Sequence, residues 1–199
     1  MEIADLKQVD LLWQETQPYM AAQIMAGYGR REGAALELGP FGGGISMELK
    51  KQYPQLDITI ADEQPQTVEF LKQKIADSAF ADSISVQQTD LNRLAFPDER
   101  FDLVIMRGAF FFLRDKTSLL DEVFRVMKKG GFAFIGGGHG KDVPRSITDG
   151  IAGELRVLHG KLGGKWLGIE ELKELVNKTG IKDKCLITQE GGVWLNIRK

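Results

Sequence analysis

The chain has little of the chemistry that supports disulfides, metal centres or membrane insertion. Among its 199 residues it contains one cysteine, Cys185, and two histidines. One thiol cannot close an intrachain disulfide and supplies too few ligands for a cysteine zinc site, so we expect no metal and a reducing, cytoplasmic setting. No run approaches the roughly 18 apolar residues of a membrane span, and the first residues lack a targeting pattern, so we expect no membrane partner.

The chain also has little excess of one sign of charge over the other. The formal net charge is −2, with 27% charged residues, which excludes the basic excess typical of nucleic-acid binding. The partners we expect are small molecules or proteins. A length of 199 residues suits one sizeable α/β domain and is short for two. We predict a single domain over residues 1–199, with a helical cap at 1–30 and a sheet-containing core at 31–199.

Short apolar runs alternate with amphipathic stretches along the chain. The strand-like runs lie at 34–39, 56–62, 83–88, 101–107 and 131–137, and the helix-like stretches at 45–53, 66–76 and 118–127. Strand, helix, strand at this spacing predicts βαβ units, and hence an α/β fold whose mostly parallel sheet has helices on both faces. We interpret LysLysGlyGly at 128–131 as the basic last turn and glycine stop of the third helix.

The end of the chain breaks this alternation. After a helical pattern at 169–177, two strand-like runs at 183–190 and 193–198 are joined only by Gly191 and Gly192. So short a connection suits an antiparallel hairpin, because a parallel return needs about a dozen residues or more. We therefore predict an antiparallel strand at or near one edge of the sheet.

A glycine-rich loop, ELGPFGGGIS, follows the first predicted strand. In an open parallel sheet, ligands bind outside the carboxyl ends of the strands, and glycine lets backbone N–H groups approach a ligand closely. A glycine turn without function would have the same composition. A nicotinamide or flavin site would require glycine where this chain has Phe41, and the carboxylate of Glu37 would repel a pyrophosphate.

Carboxylates stand at the ends of three successive predicted strands. Glu37 closes an apolar run, where a carboxylate is costly unless it is partnered, and a cationic ligand group would supply that partner. Asp62 ends the second strand, where a carboxylate can accept hydrogen bonds from ribose hydroxyls, and Asp90 follows the third. Each residue alone is often a turn or cap residue, but together the three are expected to line one edge of the sheet.

With these features the sequence resembles the class I S-adenosylmethionine-dependent methyltransferases. The resemblance rests on ELGPFGGG, on Asp62 after strand two, on TDLNRLAFPDERFDLVIMRGAFFFL and on VFRVMKKGGFAFIGGG, and it covers nearly the whole chain. It implies a Rossmann-like seven-stranded sheet of order 3-2-1-4-5-7-6 with strand seven antiparallel. It also implies S-adenosyl-L-methionine as cofactor and S-adenosyl-L-homocysteine as product.

The resemblance also implies cofactor-binding roles along this edge. The loop after strand one would hold the methionine part, Asp62 the ribose hydroxyls, and Asp90 with Leu91 the adenine. The chain departs from the family at Phe41, where glycine is usual, and at Glu63, where an apolar residue often stands. We expect the Phe41 ring to pack beside the cofactor or beneath the N-terminal helices, with residues 42–44 making the close approach. The predicted cofactor-binding set is Glu37, Gly39, Pro40, Phe41, Gly43, Asp62, Glu63, Asp90, Leu91 and Arg107.

Residues near the ends of strands four and five are candidates for an acceptor site. Arg107 can hold a carboxylate or phosphate on the acceptor, brace the cofactor loop, or form a salt bridge with a nearby acid. Phe110 and Phe111 are expected to divide between core and pocket wall, and Tyr19 is a pocket candidate from the N-terminal helices. His139 is the one candidate general base, the alternative being a histidine on a surface loop.

The function we predict is methyl transfer to a small-molecule acceptor by in-line displacement. Holding the acceptor in line and excluding water can supply much of the catalysis, so a dedicated base is optional. Two alternatives remain: a non-catalytic S-adenosylmethionine-binding protein of the same fold, and a protein or nucleic-acid methyltransferase. The second is disfavoured because MRGA stands after strand four in place of an NPPY-type motif. We expect a monomer or a homodimer.

Overall fold

The computed structural model describes residues 2–41, 43–113, 115–163 and 167–199. Its helices are α1 (Ile3–Trp13), α2 (Gln17–Tyr28), α3 (Gly44–Gln52), α4 (Pro65–Ala76), α5 (Lys116–Val126), α6 (Arg145–Leu162) and α7 (Ile169–Asn177). Its strands are β1 (Gly33–Leu38), β2 (Leu56–Asp62), β3 (Ile84–Gln88), β4 (Phe101–Arg107), β5 (Met127–Gly138), β6 (Cys185–Thr188) and β7 (Gly192–Arg198). Short 3-10 helices occupy Gln14–Thr16, Ala109–Phe112 and Lys182–Lys184.

The seven strands form one sheet in the order β3-β2-β1-β4-β5-β7-β6. Strands β1 to β5 are parallel, whereas β7 runs antiparallel to both β5 and β6. This confirms the predicted strand order and the antiparallel hairpin. The order reverses between β1 and β4, so the loops after these two strands meet at the switch point where ligands bind in open α/β sheets.

Helices cover both faces of the sheet because successive strand residues point to opposite sides. In β4, Val104 and Met106 belong to the cluster that includes buried residues of α5 and α7. Leu103 and Ile105 belong to the opposite cluster, formed with α2, α3 and α4. Helix α2, within the segment predicted as a cap, therefore packs directly on the sheet. None of the helices in the described ranges is long and apolar enough to cross a bilayer.

The predicted end of the third helix is wrong. Helix α5 stops one residue before Met127, which pairs with Phe101 as the first residue of β5. Lys128 and Lys129 therefore lie in a strand and not in a last helical turn. The Lys128 ammonium pairs with Asp102 of β4 at 2.7 Å, so a contact between distant segments overrides a local pattern typical of a helix stop.

Candidate functional site

The loop between β1 and α3 turns at glycines whose backbone conformations disfavour side chains. Gly39 has a φ of +101°, and a Cβ there would lie 2.5 Å from the Cβ of Ala109. Its N–H donates to the carbonyl of Ala61 at 2.9 Å. Gly43 has a φ of +93°. The tight turn expected at Gly39 is thus observed, while Gly42, included in the predicted close approach, lies outside the described residues.

Glu37 is buried, with 2% of its surface exposed, and its partners come from its own chain. Its Oε2 accepts hydrogen bonds from the Ser46 hydroxyl at 2.5 Å, the Ser46 N–H at 3.1 Å and the Gly43 N–H at 3.3 Å. Burial raises the pKa of Glu37, and these donors oppose the rise. The carboxylate therefore fastens the glycine loop to the start of α3. The sequence analysis expected a cationic ligand group as the partner of Glu37, whereas the observed partners are Gly43 and Ser46.

Asp62 ends β2 in a similar, buried environment. Only 2% of its surface is exposed, and its carboxylate accepts hydrogen bonds from the N–H of Gln64 at 2.9 Å and from the side chain of Thr67. Burial raises the pKa of Asp62 to about 6. Its neighbour Glu63 is exposed. The carboxylate that the resemblance pairs with ribose is thus held by hydrogen bonds from the start of α4.

Asp90 and Leu91 lie beside Asp62 on the same edge of the sheet. The N–H of Thr89 donates to the carbonyl of Asp62 at 3.0 Å, which ties the end of β3 to the end of β2. Asp90 is exposed and accepts a hydrogen bond from the N–H of Asn92 at 2.8 Å. The Leu91 side chain is buried. The chain segments that carry Asp62 and Asp90 therefore lie side by side at this edge.

Arg107, the last residue of β4, is buried against the N-terminal segment. Its guanidinium lies 3.7 Å from the centre of the Trp13 ring, while Nη2 donates to the Thr16 hydroxyl at 3.0 Å and Nε to the Gly138 carbonyl at 3.2 Å. Only 7% of the residue is exposed. Burial lowers its pKa to about 9, against the opposing effect of Glu37, so Arg107 stays protonated at neutral pH.

Phe41 packs towards the end of β4. A Cβ on Gly108 would lie 3.1 Å from the Phe41 ring, and the ring meets Phe112 edge-on with centroids 5.9 Å apart. Pro40 before it is half-buried. The ring therefore lies between the glycine loop and the segment after β4.

A cavity of about 390 Å³ opens at this ring. Its apolar lining comes from the N-terminal segment, the glycine loop, the turn after β4 and helix α6, and comprises Val9, Trp13, Phe41, Ile45, Phe112, Ala152, Leu155, Leu158 and Leu162. The polar side chains that reach it are Asp10, Gln17, Arg107, His139, Arg156 and His159. A mostly apolar pocket with a few convergent polar groups is the usual form of a small-molecule site.

His139 lies at the end of β5 and faces the Trp13 ring, with ring centroids 5.4 Å apart. Its Nδ1 is buried and has no hydrogen-bond partner among the described residues. Burial lowers the pKa of His139, and the nearby charge of Arg107 lowers it further. The imidazole is therefore neutral at pH 7 and able to accept a proton.

The other predicted acceptor residues are placed differently. Phe110 and Phe111 are both buried in the core cluster, whereas their neighbour Phe112 lines the cavity. Tyr19 is half-buried on α2 and does not line it within the described ranges. Of the predicted acceptor set, the cavity receives Arg107 and His139.

Sequence reasoning missed the part of the cavity wall that α6 supplies. Leu155, Leu158 and Leu162 recur at helical spacing, a signal that marks one apolar face but not the element it packs against. The α6 residue Lys161 pairs with the buried Asp5 of α1 at 2.5 Å. That ion pair links α6 to α1, and both helices contribute residues to the cavity lining.

The fold and the site together define a Rossmann-like α/β protein with a cavity at the switch point of its sheet. A family model described as a methyltransferase domain matches residues 36–135, half of the chain. The chain belongs to this family, among the class I S-adenosylmethionine-dependent methyltransferases. No cluster of metal-binding side chains occurs in the part of the chain that the structure describes.

Two relatives and one solved structure are similar to the chain. It is 33% identical over 111 residues to a demethylmenaquinone methyltransferase of Deinococcus radiodurans, covering 56% of this chain and 44% of that protein. It is 30% identical over 100 residues to a ubiquinone/menaquinone biosynthesis C-methyltransferase of Geotalea daltonii, covering 50% and 43%. Both matches thus span less than half of the relative. A crystal structure from Methanococcus maripaludis, provisionally described as an S-adenosyl-L-methionine-dependent methyltransferase, superposes with a TM-score of 0.82 at 25% identity, covering 98% of this chain and 91% of that one.

Proposed function

We propose that this protein transfers a methyl group from S-adenosyl-L-methionine to a small apolar acceptor. The observation that carries the proposal is the position of the cavity, whose wall includes Phe41 of the glycine loop and Gly108 after β4. An acceptor in the cavity would therefore lie against the loop expected to hold the cofactor. Family membership supports the methyl donor, and relatives named for quinone methylation support a small acceptor.

The residues along the carboxyl edge of the sheet fit the cofactor in their chemistry. Asp62 would accept hydrogen bonds from the ribose hydroxyls, and Asp90 with Leu91 would hold the adenine. The buried carboxylate of Asp62, whose pKa is raised to about 6, gains from any added donor, since hydrogen bonds stabilise its ionised form. When bound, the cofactor supplies an electrophilic methyl group on a sulfonium centre.

The chain's own contribution is positioning and exclusion of water. In-line displacement gains most from an acceptor held in the right orientation in a dry site. The rings of Trp13 and Phe112 and the leucines of α6 form an apolar enclosure around the acceptor. The ion pair between Asp5 and Lys161 would keep that enclosure shut during transfer.

A methyl-transfer assay tests the proposal. The protein is incubated with methyl-labelled S-adenosyl-L-methionine and a panel of naphthols, hydroquinones, aromatic amines and carboxylates, and products are identified by mass spectrometry. We expect a labelled product that requires both the protein and one apolar acceptor class. S-adenosyl-L-homocysteine binding without product across the panel would contradict the proposal and favour the non-catalytic alternative.

Matched variants separate site effects from nonspecific ones. Asp62→Asn should slow transfer at low cofactor concentration, because one hydrogen-bonding carboxylate is lost. Glu69→Gln removes a carboxylate from the exposed surface of the adjoining helix and should leave transfer unchanged. Equal effects of the two changes would remove Asp62 from the cofactor site.

A further inference from the structure

The guanidinium of Arg107 is a buried charge at the cavity, and no acidic side chain of the described residues is in contact with it. Its two hydrogen-bond acceptors, the Thr16 hydroxyl and the Gly138 carbonyl, are neutral oxygens. Glu37 acts on it at longer range, but its Oε2 is already bound to Ser46 and Gly43. A guanidinium has five N–H donors, and Nη1 of Arg107 donates to no residue in the described ranges. A buried charge in this state is stabilised by an anionic group on a ligand.

His139 offers a proton acceptor next to this charge. It directly follows Gly138, whose carbonyl accepts from Arg107, and both side chains lie against the Trp13 ring, the guanidinium at 3.7 Å and the imidazole ring at 5.4 Å. Its Nδ1 is buried without a hydrogen-bond partner in the described part of the chain. A positive group and an unprotonated imidazole therefore meet at one end of an apolar cavity.

We propose that Arg107 and His139 together bind and ionise an acidic hydroxyl group, a phenol or an enol, on the apolar acceptor. In this step the O–H bond of the acceptor breaks, its proton passes to the basic ring nitrogen of the neutral His139 to give an imidazolium, and the oxyanion remains beside Arg107. No oxidant or reductant is needed. The inference rests on the proposed methyl-transfer function and gives its acceptor a chemical class.

The neighbouring charges favour a hydroxyl over a carboxylate. A carboxylate would use Arg107 alone, because it has no proton to pass to His139. A hydroxyl uses both groups: its proton passes to the basic ring nitrogen of His139, and its negative charge develops beside the guanidinium, where a low-dielectric site strengthens the attraction. Asp10, the acid of the cavity lining, is engaged with Lys74 at 2.5 Å, so it competes little for Arg107.

The test uses three probes built on one apolar ring system. These are 4-nitro-1-naphthol, whose ionised form is coloured, its methyl ether, which has no acidic proton, and 4-nitro-1-naphthoate. Binding is followed by absorbance at a pH where free nitronaphthol is mostly protonated. We expect the wild-type protein to bind nitronaphthol as its coloured oxyanion, and about tenfold or more tightly than the methyl ether.

Variants assign the effect to the two side chains. Arg107→Gln should weaken nitronaphthol binding about tenfold or more while ether binding changes little. Arg107→Lys keeps the charge and should retain part of the affinity. His139→Phe keeps a ring against Trp13 and should leave the bound probe in its protonated, uncoloured form. Arg145→Gln, on the exposed start of α6, is the charge-matched control. Ether binding by every variant reports that the cavity is intact.

Several results would overturn the inference. They are nitronaphthol binding no tighter than its ether, naphthoate binding tighter than nitronaphthol, or an oxyanion spectrum that persists in Arg107→Gln. Loss of the spectrum on Arg156→Gln but not Arg107→Gln would assign the charge to the exposed arginine at the cavity instead.

The remaining source of an anionic group is the amino-acid carboxylate of the cofactor. Titrations with S-adenosyl-L-homocysteine and with methylthioadenosine, which lacks that carboxylate, separate the two sources. If Arg107→Gln weakens only the first, Arg107 holds the cofactor and the inference is wrong. Failure of the wild-type protein to bind S-adenosyl-L-homocysteine would instead contradict the proposed function, so the two failures are distinguishable.

Discussion

Replacing Asp62 with asparagine is expected to stabilise the ligand-free protein while weakening its binding of the cofactor. Burial raises the pKa of Asp62 from 3.8 to about 6, and each pKa unit corresponds to about 1.4 kcal/mol. The ionised side chain therefore costs the folded state about 3 kcal/mol at neutral pH. Asparagine is close in shape, can still accept from the N–H of Gln64, and carries no charge.

The sign of the pH dependence follows from the direction of this shift. Between about pH 4 and pH 6 the folded protein holds a proton on Asp62 that the unfolded chain has released, so stability falls as the pH rises through this window. The Asp62→Asn variant should not lose stability in this way as the pH rises. Its advantage over the wild type should be near zero at about pH 4 and approach 3 kcal/mol above about pH 6.

Urea unfolding at several pH values measures this difference, with Glu69→Gln as the control for loss of one carboxylate. In parallel, Asp62→Asn should weaken S-adenosyl-L-homocysteine binding by about 1 to 3 kcal/mol, the range for unpaired hydrogen-bond partners. A variant less stable than the wild type at neutral pH, or a stability difference independent of pH, would refute the reasoning. Unchanged affinity would remove Asp62 from the cofactor site.

Three further changes probe the loop, its aromatic wall and the cover of the cavity. Ser46→Ala removes the hydroxyl that donates to buried Glu37 and should cost about 1 to 3 kcal/mol in urea unfolding; no loss would contradict the bracing role. Phe41→Gly should leave or improve S-adenosyl-L-homocysteine affinity measured by calorimetry, whereas a large loss would show that the ring belongs to the cofactor site. Asp5→Asn breaks the pair with Lys161 and should speed amide hydrogen exchange across 145–162; unchanged exchange would show that the pair does not hold α6.

Much of the fold could be predicted because local patterns carry it. Alternating strand and helix periods specify βαβ units, and the Gly191–Gly192 connection is too short for a parallel return, so the hairpin follows. The boundary at Met127 could not be predicted. Its local pattern indicates a helix stop, and only the pairing with Phe101 and the ion pair of Lys128 extend β5 to this point.

The candidate site was predictable where topology alone brings residues together. Carboxyl ends of parallel strands meet at one edge, so Asp62 and Asp90 could be expected to lie near each other. The contacts of Arg107 with Trp13 and Thr16 could not be predicted, because these residues are about 90 positions earlier in the chain. No periodicity reports which helix covers a cavity, so the contribution of α6 emerges only from the folded chain.

Calorimetric titration with S-adenosyl-L-homocysteine tests most directly whether the edge from the glycine loop to Asp90 is a cofactor site. We expect saturable binding at one site per chain, weakened by Asp62→Asn and unaffected by Glu69→Gln. Absence of binding by the folded wild-type protein at about millimolar ligand, an affinity weaker than about −4 kcal/mol, would contradict it.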